Sequence, residues 1–338
     1  MTQAGSDLRT AGGPHHGRSR QTAGEHGRRG GFIGALSALL VRSEALRGYL
    51  LLSPALVFLL CLLVLPLAGI LVLSLFTQNY VAIDTTLTFA NYWKILKPGE
   101  GTYFLGVRFP FETPIFMILL AKSILMAVAA TAAVIAMAYP MAYFLAFRVT
   151  HHKMLWLILI TVPFWTSYLL RIFAWKIILG YNGVLNSGLL ALGVIDQPLD
   201  FLLNNPTSVV IALTHAWLAF AILPIYVSLE KIDRSLIEAA TDLGDNRLER
   251  FLRVTLPLSM PGVISAVLLV FIPTVGDYIT PAQIGGTSGV MIGTLIQSQF
   301  GKANNWPLGA ALSVFTMVSV TALACLFAWL AGGRRLRA

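Results

Sequence analysis

Six apolar runs, each long enough to cross a bilayer, decide what this chain can fold into. They cover roughly residues 49–76, 118–147, 155–179, 208–229, 258–279 and 308–331, and a helix needs about 20 mostly apolar residues to traverse the hydrocarbon core. Lipid offers no partner for backbone N–H and C=O groups, so such runs must be helical. The expected fold is all-α and polytopic, with six transmembrane helices in residues 49–331. An even number of spans puts both termini on one side. With 57% hydrophobic and 12% charged residues, a water-exposed globule of 338 residues is excluded.

The net charge of +9 raises the question of nucleic acid, and its distribution answers it. Seventeen of the 24 lysines and arginines fall before the first run, between runs two and three, in the loop between runs four and five, or after the last run. By the positive-inside rule these segments and both termini are expected to be cytoplasmic, and the charge needs no nucleic acid to explain it. Residues 1–31 carry Gly, Arg, His and Ser with few large apolar side chains, which predicts a disordered basic tail. Residues 32–48 suit a helix lying in the membrane interface, or simply an extension of the first span. A basic tail, 332–338, follows the last span. The first run starts too late and is too long for a signal peptide. Cys61 and Cys325 both sit inside apolar runs, which argues against a structural disulfide, and His15, His16 and His26 lack neighbours at metal-ligand spacing.

Ser235–Pro257, SLIEAATDLGDNRLERFLRVTLP, is the one long charged insertion among the spans of the second half. Ser235 with Glu238 reads as a capping box and Gly244 as the C-terminal stop of a short helix. Asp245 then reads as the cap of a second short helix with Leu248, Phe251, Leu252 and Thr255 at helical spacing. Glu238-Ala239-Ala240, Gly244, Val254, Leu256 and Pro257, at these intervals, resemble the EAA loop of the membrane subunits of bacterial ATP-binding-cassette importers, with Val254 in place of the usual isoleucine. The resemblance implies a type I (MetI-like) permease arrangement. It further implies that residues 235–257 dock on separate cytoplasmic ATPase subunits, with Glu238, Ala239, Ala240, Gly244, Leu256 and Pro257 as the coupling residues. ATP and Mg would be bound by that ATPase, so no cofactor is expected in this chain. A second permease subunit, a different chain, and a periplasmic substrate-binding protein are the other partners implied.

PFWTSYLLRIFAWKIILGYNGVLN, from Pro163 to Asn186, and GGTSGVMIGTLIQSQF, from Gly285 to Phe300, with Asn305-Trp306-Pro307, also resemble the polyamine-importer branch of that family. The resemblance implies a small organic cation as cargo, such as putrescine or spermidine, or else an opine or amino-acid-like solute. Two clusters are candidates for the path. Arg171 lies sixteen residues past Leu155, about 24 Å along a straight helix, with Tyr168 and Trp175 at i−3 and i+4 where either ring can stack on it; it either snorkels to the outer interface, or lines the path or organises the loop there. Asp277, near the outer end of span five beside Tyr278, either meets an ammonium group or caps a helix. No nucleophile elbow, carboxylate pair, metal-ligand spacing or phosphate loop occurs, so the chain is expected not to be an enzyme. An ion-coupled secondary transporter is the alternative from another class, with Asp277 its only ligand candidate.

Overall fold

A computed structural model describes residues 44–80, 82–96, 103–104, 107–108, 115–202 and 204–333. The expected tail at 1–31, most of the expected interfacial helix at 32–48 and residues 334–338 lie outside the described residues. The chain falls into two units, residues 1–65 and 66–338. Helix α1, Glu44–Ser74, begins in the first unit, where its side chains from Tyr49 on stand largely exposed. Glu44–Gly48 is therefore helical in one piece with the first span.

In the second unit, α1 ends at Ser74 and leads to a two-stranded hairpin of β1 (Thr77–Asn79) and β2 (Ala82–Asp84), with Thr77 opposite Asp84. Helix α2, Ala90–Leu96, closes back on the end of α1. Buried Asn91 donates to the carbonyls of Ser74 (3.2 Å) and Phe76 (2.7 Å), and the Tyr92 hydroxyl meets that of Ser74 at 2.8 Å. These bonds satisfy carbonyls that the last turn of α1 leaves open. A second short hairpin pairs β3 (Tyr103–Phe104) with β4 (Val107–Arg108).

The core is built by three long helices: α3 (Ile115–Phe147), α7 (Pro206–Glu230) and α10 (Leu256–Val275). On α3, Ala130, Val134, Ala138, Ala142 and Ala146 recur every fourth residue and all are buried, forming one ridge of small side chains. Where lipid is as apolar as the protein interior, small residues let backbones approach and large ones turn outward. At the crossing of α7 and α10, a Cβ on Gly262 would stand 2.5 Å from the Pro224 carbonyl oxygen and 2.5 Å from the Ser228 Cβ. Only glycine fits there.

Span three departs from the sequence expectation. Helix α4 (Lys153–Thr161) runs into a 3-10 turn at Val162–Trp165, and α5 (Tyr168–Ile178) leaves at 83°. The expected straight 24 Å from Leu155 to Arg171 is thus incorrect. Pro163 contributes no N–H, Thr166 and Ser167 are extended, and the Thr161 and Thr166 hydroxyls bond the Leu157 (2.9 Å) and Pro163 (2.7 Å) carbonyls. A break inside a membrane is tolerated when side chains cover the freed groups in this way. Among the described residues five helices are long and apolar enough to span, or six with the bent pair counted as one.

Beyond α5 come α6 (Val184–Ala191), then α7, then α8 (Arg234–Asp242) and α9 (Arg247–Arg250). After α10 the chain forms α11 (Ile279–Ile284), α12 (Ile292–Phe300) and the last span α13 (Trp306–Gly333).

Candidate functional site: a helical lever and a polar cavity

At one end of the core lie the C-termini of α3 and α7, the start of α4 with its Lys153–Glu230 ion pair (2.7 Å), and α8 and α9. Helix α8 does not start on a Ser235–Glu238 capping box as expected. It begins at Arg234, and Asp233 is the cap, its Oδ1 accepting from the Ser235 N–H at 3.0 Å. That bond holds the Asp233 carboxyl below its ordinary pKa. The turn at Lys231–Asp233 places Asp233, rather than Ser235, at the entry of the helix.

The far end of α8 follows the sequence. The Asp245 N–H bonds the Ala240 carbonyl and the Gly244 N–H that of Thr241, each at 3.0 Å, which is the Schellman arrangement. Gly244 sits at φ 91° with nothing within 4 Å of a Cβ built there, so torsion alone demands glycine. Ala240 is buried, whereas Glu238 and Ala239 are exposed and Leu243 is 87% exposed.

The expected second helix is corrected in two respects. Its cap is Asn246, not Asp245: Asn246 Oδ1 accepts from the Leu248 and Glu249 N–H groups (both 2.9 Å), and Glu249 Oε2 accepts from the Asn246 N–H (3.0 Å). Asp245 instead pairs with Arg253 at 2.7 Å. Nor is the helix separate, because α9 continues through a π-helical turn at Phe251–Thr255 into α10, one rod of 29 residues from Arg247 to Val275. Leu256 and Pro257 are its first residues beyond the π turn. Pro257 has no N–H to give the preceding turn, and a wider turn accommodates that loss. Of the four apolar positions, Leu248 and Leu252 are exposed, Phe251 is half-buried and Thr255 is buried.

Phe251 packs edge-on against Tyr139 (5.6 Å between ring centres) and near Tyr143 (6.3 Å), both on α3, and the Tyr139 hydroxyl meets that of Ser259 at 2.8 Å. Sequence reasoning gave these aromatics no role, although their four-residue spacing on α3 was visible. Phe251→Ala is expected to lower the unfolding midpoint of the purified protein by a few degrees, because it removes the ring packed against both tyrosines.

Toward the other end, a cavity of about 370 Å³ is lined by residues of α5, α7 and the end of α10, among them Tyr168, Arg171, Trp217 and Phe220, together with Asp277 and Tyr278. Of the four path candidates, Arg171, Asp277 and Tyr278 come together here and Trp175 does not. Trp175 packs at 5.4 Å on His215 instead. The Arg171 guanidinium lies over the rings of Phe164 (4.8 Å) and Tyr168 (5.7 Å); Phe164, brought close by the 83° bend, was not anticipated. Asp277 does two things at once. Its Oδ1 accepts from the Ile279 N–H (2.9 Å) at the start of α11, and its Oδ2 accepts from the Tyr168 hydroxyl (2.7 Å), which also meets Thr280 at 2.7 Å. Lys122 reaches the Ser288 carbonyl, and the Ser123 hydroxyl accepts from the Ile292 N–H at 2.7 Å, fastening α3 to the segment between α11 and α12.

Residues 154–335 match the model of the binding-protein-dependent transport system inner membrane component family. The spermidine/putrescine transport system permease protein PotB of Escherichia coli K12 is 38% identical over 261 residues, covering 77% of this chain and 93% of that protein. PotB of Haemophilus influenzae is 36% identical (70% and 83% covered), and the inner membrane ABC transporter permease protein YdcU of E. coli K12 is 32% identical (75% and 78%). In fold, the chain is similar to a solved bacterial ABC transporter involved in the import of the acidic polysaccharide alginate, with TM-score 0.64 at 16% identity, covering 89% of this chain and 99% of that one. A family match over more than half of the chain, with 38% identity across 93% of a permease protein, makes the chain a member of the binding-protein-dependent transport system inner membrane components, a non-catalytic permease subunit.

Proposed function

We propose that this chain forms half of the membrane pathway of an ATP-driven importer whose cargo is a polyamine such as putrescine or spermidine. The observation that carries the reading is the likeness to PotB across 93% of that protein's length. A carboxylate at the cavity wall, Asp277 beside Tyr278 and Tyr168, supports it. An ammonium group leaving water exchanges its hydration for negative charge and ring faces, and this wall supplies both.

The partners follow from the family. Cytoplasmic ATPase subunits bind ATP and Mg and grip α8 through exposed Glu238 and Ala239, with Gly244 setting the bend and Leu256 and Pro257 opening the rod behind it. The exposed side chains of Leu236, Leu243, Leu248 and Leu252 beside them suit a protein cleft better than water. A second, different permease subunit completes the pathway, and a periplasmic binding protein delivers cargo. Both termini and helices α8 and α9 face the cytoplasm in this reading, which the distribution of Lys and Arg supports.

Asp277→Asn tests the cargo assignment cleanly. The amide oxygen can still accept from the Ile279 N–H, so the start of α11 is kept while the charge goes. Putrescine uptake by the reconstituted importer is expected to slow roughly tenfold, the equivalent of about 1.4 kcal/mol. Unchanged uptake would leave Asp277 as a helix cap alone. Uptake driven by a proton or sodium gradient without ATP would point to a secondary transporter instead.

A further inference from the structure

The cavity that holds Asp277 is also lined by hydrogen-bond donors that lack an acceptor. Arg171 Nε and Nη1 and Trp217 Nε1 are buried and have no hydrogen-bond partner. Both residues line the same cavity as Asp277 and Tyr278. The guanidinium carbon lies over the rings of Phe164 and Tyr168, contacts that leave Nε and Nη1 without an acceptor. Asp277 does not quench it. The ion pairs among the described residues are Lys153–Glu230 and Arg253–Asp245, and the Asp277 oxygens are occupied by the Tyr168 hydroxyl and the Ile279 N–H. Tyr168 touches both charges, its hydroxyl on the carboxylate and its ring under the guanidinium.

A buried donor without an acceptor costs on the order of 1–3 kcal/mol, more when charged. A bare diamine entering this cavity satisfies the carboxylate side and leaves the three donors as they were. We propose that Arg171 and Trp217, in the cavity that Asp277 also lines, form an anion-accepting subsite, which takes one monovalent anion: a carboxylate carried by the cargo, or a halide from the medium that accompanies a cationic cargo. The Arg171 N–H groups offer charge-assisted hydrogen bonds to an anion, and the indole N–H of Trp217 supplies a further donor. The subsite deepens the importer reading and rests on it for the idea that solutes enter this cavity. It makes the cavity bipolar, suited to an ammonium at Asp277 and a negative group at Arg171.

The test uses the complete importer in lipid nanodiscs, with thermal unfolding midpoints followed in parallel titrations. The probes are 4-aminobutyrate, putrescine and sodium chloride. The wild type is expected to show a saturable rise with 4-aminobutyrate or with chloride. In Arg171→Gln the concentration at half-effect is expected to rise at least tenfold, and in Trp217→Phe by a smaller factor. Bulk screening affects wild type and variant alike, so the difference between them reports the subsite. Saturation by 4-aminobutyrate identifies a cargo carboxylate as the anion; saturation by chloride that persists alongside putrescine identifies a halide. The absence of a saturable response to both probes in the wild type overturns the proposal, as does a response equal in wild type and Arg171→Gln. The wild-type titration stands even if a variant fails to fold. Labelled putrescine uptake in proteoliposomes keeps the two readings apart: uptake without any anion response removes the subsite alone, and no uptake removes the polyamine assignment alone.

Discussion

Exchanging Glu238 for lysine, or Gly244 for valine, is expected to reduce ATP-driven uptake by at least a hundredfold while capture of cargo by the binding protein is untouched. The two changes reach that result by different routes. Glu238 is exposed on α8, so its reversal leaves the fold intact and inverts the charge offered to the ATPase. Gly244 has open space around it, but φ 91° strains a β-branched residue and loosens the two bonds that end α8. Gly244→Val thus misaims the helix without crowding anything. Uptake assays on reconstituted vesicles, with co-purification of the ATPase, measure both. If either variant transports at the wild-type rate with the ATPase still bound, α8 is not the docking element.

Gly262→Val is expected to act on assembly instead. The added Cβ meets the Pro224 carbonyl oxygen and Ser228 Cβ at 2.5 Å, and the first of these is backbone that cannot rotate aside. Forcing α7 and α10 apart costs about 1–3 kcal/mol or more, as overpacking does elsewhere. The unfolding midpoint of the purified complex should fall by several degrees, and less assembled importer should reach the membrane. Even Gly262→Ala should show the defect. Pairing it with Ser228→Gly should restore part of the loss, because one of the two close contacts is then removed. A midpoint equal to wild type for Gly262→Ala would mean that the two helices sit farther apart than described.

Much of this was legible in the chain. Long apolar runs gave the spans, because length and hydropathy do not depend on which face a residue takes. Gly244 was legible because few positions other than a left-handed helix end require glycine after a periodic stretch. The inward faces were harder to see. Within lipid both sides of a helix are apolar, so the usual polar-apolar alternation fades, and the readable signal is size: Ala130, Val134, Ala138, Ala142 and Ala146 carry it. The break at Thr166–Ser167 was hidden because proline within an apolar run suits a kink as readily as a sharp corner. That corner, in turn, decided the surroundings of Arg171, placing Phe164 on it and sending Trp175 to His215. Helix caps at Asp233 and Asn246 were missed by one or two residues, since neighbouring Asp, Asn and Ser compete for the same N–H groups.

The unbroken passage from α9 through the π turn into α10 has a mechanical meaning. Twenty-nine residues of helix span roughly 43 Å, with Arg247 at the driven tip and Asp277 two residues past the other end. A tilt of about 10° about the middle of such a shaft carries each tip some 4 Å by simple geometry, on the order of a side-chain length. No loop interrupts the helix to absorb such a tilt, so on the importer reading proposed above the ATPase contact and the wall that carries Asp277 would share a single axle.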